Sequence, residues 1–416
     1  MKIAYLAPEI PALSATFVYN EILQLEKLGN EVSAFSVHRP GAEVTDPSVD
    51  KLKENVIHLY EYSIVKVLLT HIFLLFSTPL TYLKTLALLV KDIFRLGLLS
   101  RGSLGQVYRF LFSGRLAYDL KKLGCQHVHT HFAHVPTDIA MYAAALSDIP
   151  YSVTAHANDL FERGYLLQEK VQRSSFFATI SEYNIRMLER IACNKEQLKL
   201  IRCGVDAEKF SSRQDFVPNS TFKVGVIGRL VEKKGIDTLI KAFSLLKEQG
   251  IKVSLSIAGS GPLDGELKAF VQEEGLGDNR VTFLGAIPHT QVAQFVESLD
   301  IFVLPCKQDK NGDMDGIPVV LMEAMLSGVP VISTSISGIP ELVINNETGL
   351  LVAPNDEGEL ASAIKVMMDE AANRKNMTAK GITKVNSDFS LQGNTAKLNS
   401  LFKSVALTQK GKYSRV

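Results

Sequence analysis

The chain has 416 residues, of which 46% are hydrophobic and 21% charged, with a formal net charge of +1. That length supports two sizeable cores, and the near-neutral balance, with no nucleic-acid motif or low-complexity block, speaks against a nucleic-acid partner. Cys125, Cys193, Cys203 and Cys306 show no C-x-x-C spacing, so reduced buried thiols in a cytoplasmic setting are expected rather than disulfides or a metal site.

The chain opens on a short apolar run, Ile3 to Ala7, bounded by Pro8 and Glu9; it is too short for a signal-peptide core and reads as a strand. The loop Pro8 to Thr16 leads to a helix with Phe17, Glu21, Leu25 and Leu28 at helical spacing, ending at Gly29. Glu31 to Val37 then alternates as a strand. This opening predicts a parallel α/β sheet whose binding loop lies at the carboxyl end of the first strand, where Ser14 and Thr16 can donate to a phosphate.

Residues 62–124 carry nine Lys/Arg against two Asp/Glu. Their apolar runs, Val65 to Leu75, Leu80 to Val90 and Ile93 to Leu99, are interrupted by Lys66, His71, Pro79, Lys84, Lys91 and Arg95, leaving no clean transmembrane window. Helices with apolar faces and basic flanks suit a membrane interface with anionic lipid. Ordinary core helices are the alternative.

Strand-like runs at Gln126 to Thr130, Tyr151 to Thr154 and Phe176 to Ile180 alternate with helical patterns from Thr137 and Ser181. His131 and His156 stand at strand ends, where ligands of parallel α/β sheets bind, although a core role is also open to them. The polar stretch Ser211 to Ser220 reads as a linker. Beyond it, the strand Phe222 to Ile227 runs into Gly228-Arg229 and a helix from Ile236 to Glu248. Arg229 and Lys234 flank that helix start, an arrangement that neutralises a diphosphate. Val253 to Ala258 ends in Gly259-Ser-Gly261, and Val281 to Gly285 and Ile301 to Pro305 are further strands feeding loops on the same sheet edge.

Asp313-Met-Asp-Gly-Ile-Pro-Val-Val-Leu-Met-Glu323 then reads as an acidic loop entering a helix that Gly328 stops. Pro318 suits the first helical position, and the backbone N–H groups of Gly316, Ile317 and Val319 form a phosphate seat at the helix start. Glu323 lies about 7.5 Å further along the axis, in an apolar helix where a carboxylate needs a hydroxyl or cation partner. Asp315 and Glu323 can thus address a sugar ring and a ribose. Three other readings compete. Asn311 to Gly316 imitates a calcium loop, but its twelfth position is Met322 and Pro318 intrudes. Asp313-Met-Asp315 spells a metal-chelating D-x-D. Asp315 as a cap, with Glu323 paired to a structural cation, is the third.

Asp315 followed by seven residues and Glu323-Ala resembles the E-x7-E signature of retaining glycosyltransferases with the GT-B fold, particularly family 4, with Asp in the first place. His156 to Asp159 resembles that family's H-x-x-D segment, Gly204-Val-Asp206 its interdomain element, and Ser337 to Glu341 with Thr348 to Val352 its C-terminal pattern. The Gly-Gly pair common in the family's first loop is replaced here by Ala12-Leu-Ser-Ala-Thr16. The resemblance implies an α/β protein of two Rossmann-like domains facing across a cleft: an acceptor domain over 1–205, a donor domain over 206–388, and a helix about 389–416 packing back on the first.

It further implies a retaining, metal-independent enzyme without cofactor, moving sugar from a nucleotide-diphosphate sugar to a glycan or polyprenyl-diphosphate-linked saccharide. The setting implied is cell-surface or exopolysaccharide biosynthesis at the inner face of the membrane. Arg229, Lys234, Gly316, Ile317 and Pro318 would stabilise the departing diphosphate. Asp315 would orient the sugar, Glu323 bind the ribose, and His156 support the sugar and transition state. Ser14, Thr16, His131, Gly259, Gly261 and Gly285 are further donor or acceptor contacts, with the nucleobase near Leu284 to Ile287. A nucleotide-sugar epimerase of this architecture, and a catalytically silent binding protein, are the alternatives.

Overall fold

The computed structural model describes residues 1–41, 44–210, 221–277 and 280–413. The expected linker, Ser211 to Ser220, lies outside the described residues. The chain divides into two compact units: residues 1–180, 184–202 and 392–416, and residues 181–183 with 203–391.

The first unit is built on β1 (Lys2–Ala7), β2 (Glu31–Ser36), β3 (Ile57–His58), β4 (His127–His131), β5 (Tyr151–Ala155), β6 (Phe177–Thr179) and β7 (Leu198–Leu200). All pairings are parallel, in the order β3-β2-β1-β4-β5-β6-β7. Successive strand residues point to opposite faces, so Ala4 and Leu6 enter one core while Ile3, Tyr5 and Ala7 enter the other. The helix Thr16–Lys27 seals the second core with Val18, Ile22 and Leu25, and the last helix, Leu391–Tyr413, adds Leu398 and Phe402 to it.

The second unit holds β8 (Phe222–Ile227), β9 (Val253–Ala258), β10 (Val281–Gly285), β11 (Ile301–Leu304), β12 (Val331–Thr334) and β13 (Leu350–Val352), parallel in the order β10-β9-β8-β11-β12-β13. Both units are Rossmann-like. In each, the chain first builds outward from one side of its opening strand and then crosses to the other, so the loops after β1 and β4, and those after β8 and β11, diverge. Parallel α/β sheets bind ligands at such switch points.

Residues 64–123 fold as three helices, Ile64–Ser77, Pro79–Leu96 and Arg101–Leu123. Ser63 and Ser100 accept backbone N–H bonds at the first and third helix starts, while Gly97 and Gly124 end the second and third. The inner faces are core. His71 contacts the Tyr82 hydroxyl at 3.0 Å and the Leu111 carbonyl at 2.8 Å, and Asp92 is held by Arg173 at 2.6 Å and the Tyr142 hydroxyl at 2.7 Å. The outer faces are apolar and exposed. No helix among the described residues is long and apolar enough to cross a membrane.

Two local expectations need correction. Pro318 is the residue before the helix rather than its first, with extended backbone, because the helix runs Val319–Leu326. All four cysteines are free, but Cys193 is exposed, so only Cys125 and Cys306 are buried thiols.

Candidate functional site

At the β8/β11 switch point, two lysines from one loop meet two aspartates from the other. Lys233 and Lys234 end the turn Glu232–Lys234 that follows β8. Asp313 and Asp315 follow β11, in a loop tied by Asp309, whose carboxylate accepts the amides of Asn311 at 2.8 Å and Asp313 at 2.9 Å. Lys233 Nζ bridges Asp313 at 2.7 Å and Asp315 at 3.3 Å, and Lys234 Nζ lies 2.5 Å from Asp315. The D-x-D carboxylates therefore hold an ammonium group between them.

Burial pushes the Asp315 carboxyl up, but the charges of Lys234 and Lys233 outweigh it and hold the carboxyl below its ordinary value. Both lysines are held above theirs, burial being outweighed mainly by Asp315. The Cys306 thiol, 3.4 Å from Asp315, is pushed well up by burial and donates to the carboxylate as a neutral group.

Asp315 leads directly into Gly316, Ile317 and Pro318, which deliver the chain to the helix carrying buried Glu323. A helix start leaves backbone N–H groups without helical partners, and this one follows directly on Asp315, which both lysines contact. Arg229 is exposed on the loop after β8. Gly259 and Gly261 lie where the loop after β9 crosses the β8 loop. A Cβ on Gly259 would come 1.9 Å from the Gly228 carbonyl oxygen, which gives that glycine a packing role. Gly285 accepts the Gly259 amide at 2.7 Å.

At the β1/β4 switch point lies a buried polar chain. Tyr5 donates its hydroxyl to Glu21 at 2.6 Å, His131 Nε2 meets the same oxygen at 2.8 Å, and His131 Nδ1 meets His156 Nε2 at 3.0 Å. Burial keeps the Tyr5 hydroxyl protonated. Glu21 accepts from both neighbours, and His131 Nδ1 and His156 Nε2 share one hydrogen bond between them. Burial, then the neighbouring His131 and His134, drives the His156 pKa well below its ordinary value, so this ring is neutral.

Asp159 accepts the amides of His156 at 3.0 Å and Ala133 at 2.6 Å, locking the ends of β4 and β5 together. Lys170 ties the same turn, donating to the Ala133 and Tyr165 carbonyls at 2.6 and 2.7 Å. Ser14 is exposed in the turn before Thr16, which begins the helix that carries Glu21.

A ligand atom from each of Glu21, His129 and His131 lies within 4.8 Å of the others, a spacing compatible with a metal ion. The donors present are otherwise engaged. Both His129 nitrogens meet hydroxyls, Ser152 at 2.8 Å and Thr154 at 3.0 Å, and His131 Nε2 meets Glu21.

The structure thus brings Lys234 to Asp315 and His131 to His156. Sequence reading did not assign Lys233, Tyr5 or Glu21 to a site. Glu21 carried a signal nonetheless: an acid in the apolar stripe of Phe17, Leu25 and Leu28.

Two parallel-sheet Rossmann-like units, each with polar groups gathered at its switch point, define the GT-B class. Residues 14–209 match the family model described as Glycosyltransferase Family 4, and residues 208–384 that described as Glycosyl transferases group 1. The chain belongs to this group 1, family 4 set of GT-B glycosyltransferases. It is 27% identical to the amylovoran biosynthesis glycosyltransferase AmsK of Erwinia amylovora, over 94% of this chain and 96% of that protein. Against WcaL of Escherichia coli (strain K12), by its name a colanic acid biosynthesis glycosyltransferase, identity is 35%, but the match spans 57% of this chain and 59% of that protein. Among solved structures, sucrose-phosphate synthase from Thermosynechococcus elongatus superposes with a TM-score of 0.74 at 21% identity, covering 98% of this chain and all (100%) of that one. Anabaena HepE in complex with UDP-glucose gives 0.72 at 17%, covering 97% and 100%.

Proposed function

We propose that the chain is a retaining glycosyltransferase of polysaccharide biosynthesis that takes sugar from a nucleotide-diphosphate sugar. The observation that carries this reading is the cluster of Lys233, Lys234, Asp313 and Asp315 at the start of the Val319–Leu326 helix. Leaving-group charge grows on the diphosphate during transfer, and two half-buried ammonium groups beside a helix N-terminus stabilise it where it develops. Asp315 exchanges one lysine contact for sugar hydroxyls, Glu323 holds the ribose, Arg229 adds a cation from the loop, and His156 supports the sugar and transition state. The relatives named for amylovoran and colanic acid biosynthesis support a saccharide acceptor, here a glycan or a polyprenyl-diphosphate-linked saccharide reached at the cytoplasmic face of a membrane.

Transfer needs no divalent ion in this reading, because Lys233 already bridges the two carboxylates that a metal would require. The test is a panel of nucleotide-sugars, scored for donor hydrolysis and for protection against thermal unfolding, which binding to the native state produces. One donor should be consumed and should raise the melting temperature, product NMR should give the donor's anomeric configuration, and excess EDTA should leave turnover intact. Inversion at the anomeric carbon, or loss of turnover in EDTA with rescue by manganese, would overturn the corresponding part. Conversion of the donor to its epimer without transfer would move the protein to the epimerase reading.

A further inference from the structure

The first two helices of the 64–123 segment are apolar on opposite sides. On Ile64–Ser77, buried Val67, Thr70, His71 and Leu74 form one face, while Val65, Leu69, Ile72, Phe73 and Phe76 are exposed. At about 100° per residue, the two sets are centred roughly 165° apart. On Pro79–Leu96, buried Thr85, Leu89 and Asp92 oppose exposed Leu80, Leu83, Leu86, Val90 and Phe94 in the same way. Leu98 and Leu99 continue the patch beyond the second helix. Phe76 is 81% exposed, Leu80 74% and Leu99 87%. Single exposed apolar side chains need no explanation, but a contiguous face along two helices marks an interaction surface.

The charges beside this face identify its partner. Lys84, Lys91 and Arg95 follow one another along one edge of the second helix, between its exposed and buried faces, Arg95 also pairing with Glu169. Lys66 and Arg101 are exposed nearby. Between Tyr62 and Tyr118 the sequence has one acid, Asp92, and it is buried against Arg173. A second copy docked on this face would add the same cations and bring, from residues 62–118, no exposed acid to pair with them. A bilayer interface offers acyl chains to the apolar face and phosphates to the cationic edge.

We propose that the outer face of the Ile64–Ser77 and Pro79–Leu96 helices docks in the interface of an anionic phospholipid membrane. The two helices lie in the headgroup region with Phe73, Phe76, Leu80 and Phe94 inserted and Lys84 and Lys91 against lipid phosphates. This assignment concerns a surface of the first unit and needs neither donor nor acceptor, so it stands or falls apart from the proposed transfer chemistry.

The full chain is tested against phosphatidylcholine vesicles with and without phosphatidylglycerol. It should sediment with the acidic vesicles, less so as salt rises. Lys84→Glu with Lys91→Glu should weaken partitioning at least on the order of tenfold, as should Phe76→Ser with Phe94→Ser. Donor hydrolysis in solution should be unchanged in both. The chain has no tryptophan (Trp 0), so Phe76→Trp gives a single indole whose emission should shift to the blue on acidic vesicles and be quenched by brominated lipid. An unmutated chain that stays in solution with acidic vesicles at low salt, or an indole that stays in water, overturns the proposal. A concentration-dependent dimer dissolved by Phe76→Ser with Phe94→Ser, without vesicle binding, assigns the face to a second copy instead.

Discussion

Lys233 and Asp315 form a charged pair that neither partner announces when considered alone. Asp313 and Asp315 resemble a metal-chelating pair in one dimension, and only the fold brings the Lys233 ammonium group between them, 2.7 and 3.3 Å away. Asp315 below its ordinary 3.8 and Lys234 above its ordinary 10.5 make the pair ionised across the working range. The carboxylate's stabilising contribution is present above 3.8 and is lost as pH falls through its depressed folded value. That of the lysine is present below 10.5 and is lost as pH rises through its elevated one. Donor binding should therefore titrate with the donor alone between about pH 5 and 9. Calorimetry across that range checks it, and a midpoint unaccounted for by the donor phosphate would contradict the pairing. Removing one partner from a half-buried pair leaves the other charge uncompensated, so Lys234→Ala should lower the melting temperature and weaken nucleoside diphosphate binding together. Glu21→Gln, which replaces an acceptor with an amide, should slow transfer on the order of tenfold, the value of one hydrogen bond, with donor KM little changed. Nitrogen-15 shifts of the His131 and His156 rings should report altered tautomers, and unchanged rings would reduce Glu21 to packing.

Strands and helices were largely legible because their patterns are local. Phe222–Ile227, Val253–Ala258 and Ile236–Glu248 fall where apolar runs and periodicity put them. Cross-strand partners were not. His127, His129 and His131 share one face of β4, and the Ser152 hydroxyl of β5 meets His127 at 2.7 Å and His129 at 2.8 Å, a ladder invisible until the two strands are paired. Burial drives His127 down to about 3 and His129 well below its ordinary 6.5. These rings stay neutral in the fold but take up protons when unfolded, so stability falls as pH drops below 6.5, by about 1.4 kcal/mol per pH unit for each titrating histidine. Urea midpoints at pH 7.5, 6 and 5 should decline in order, and a level series would contradict neutral burial. Where the helix Arg101–Leu123 passes the helix Ile64–Ser77, a Cβ on Gly114 would lie 2.4 Å from His71 Nε2. Gly114→Val should cost about 1–3 kcal/mol by overpacking, seen as a lower unfolding midpoint.

At the scale of the molecule, the sequence disclosed two parallel-sheet domains from alternating strand and helix signals, and the structure added their strand orders. For residues 62–124 it shows helices that contribute core on one side and exposed apolar surface on the other. Between β3 and β4 the chain leaves the sheet at one edge and returns beside β1, where Ile3 registers with His127 and Leu6 with Thr130. That register is set by strands outside the three-helix excursion. The excursion can therefore change its outer face while the Tyr5, Glu21 and His131 contacts keep their places. Such an arrangement behaves as a cassette: one face of the segment belongs to the fold, and the other can be rewritten without touching the strands that hold the polar chain.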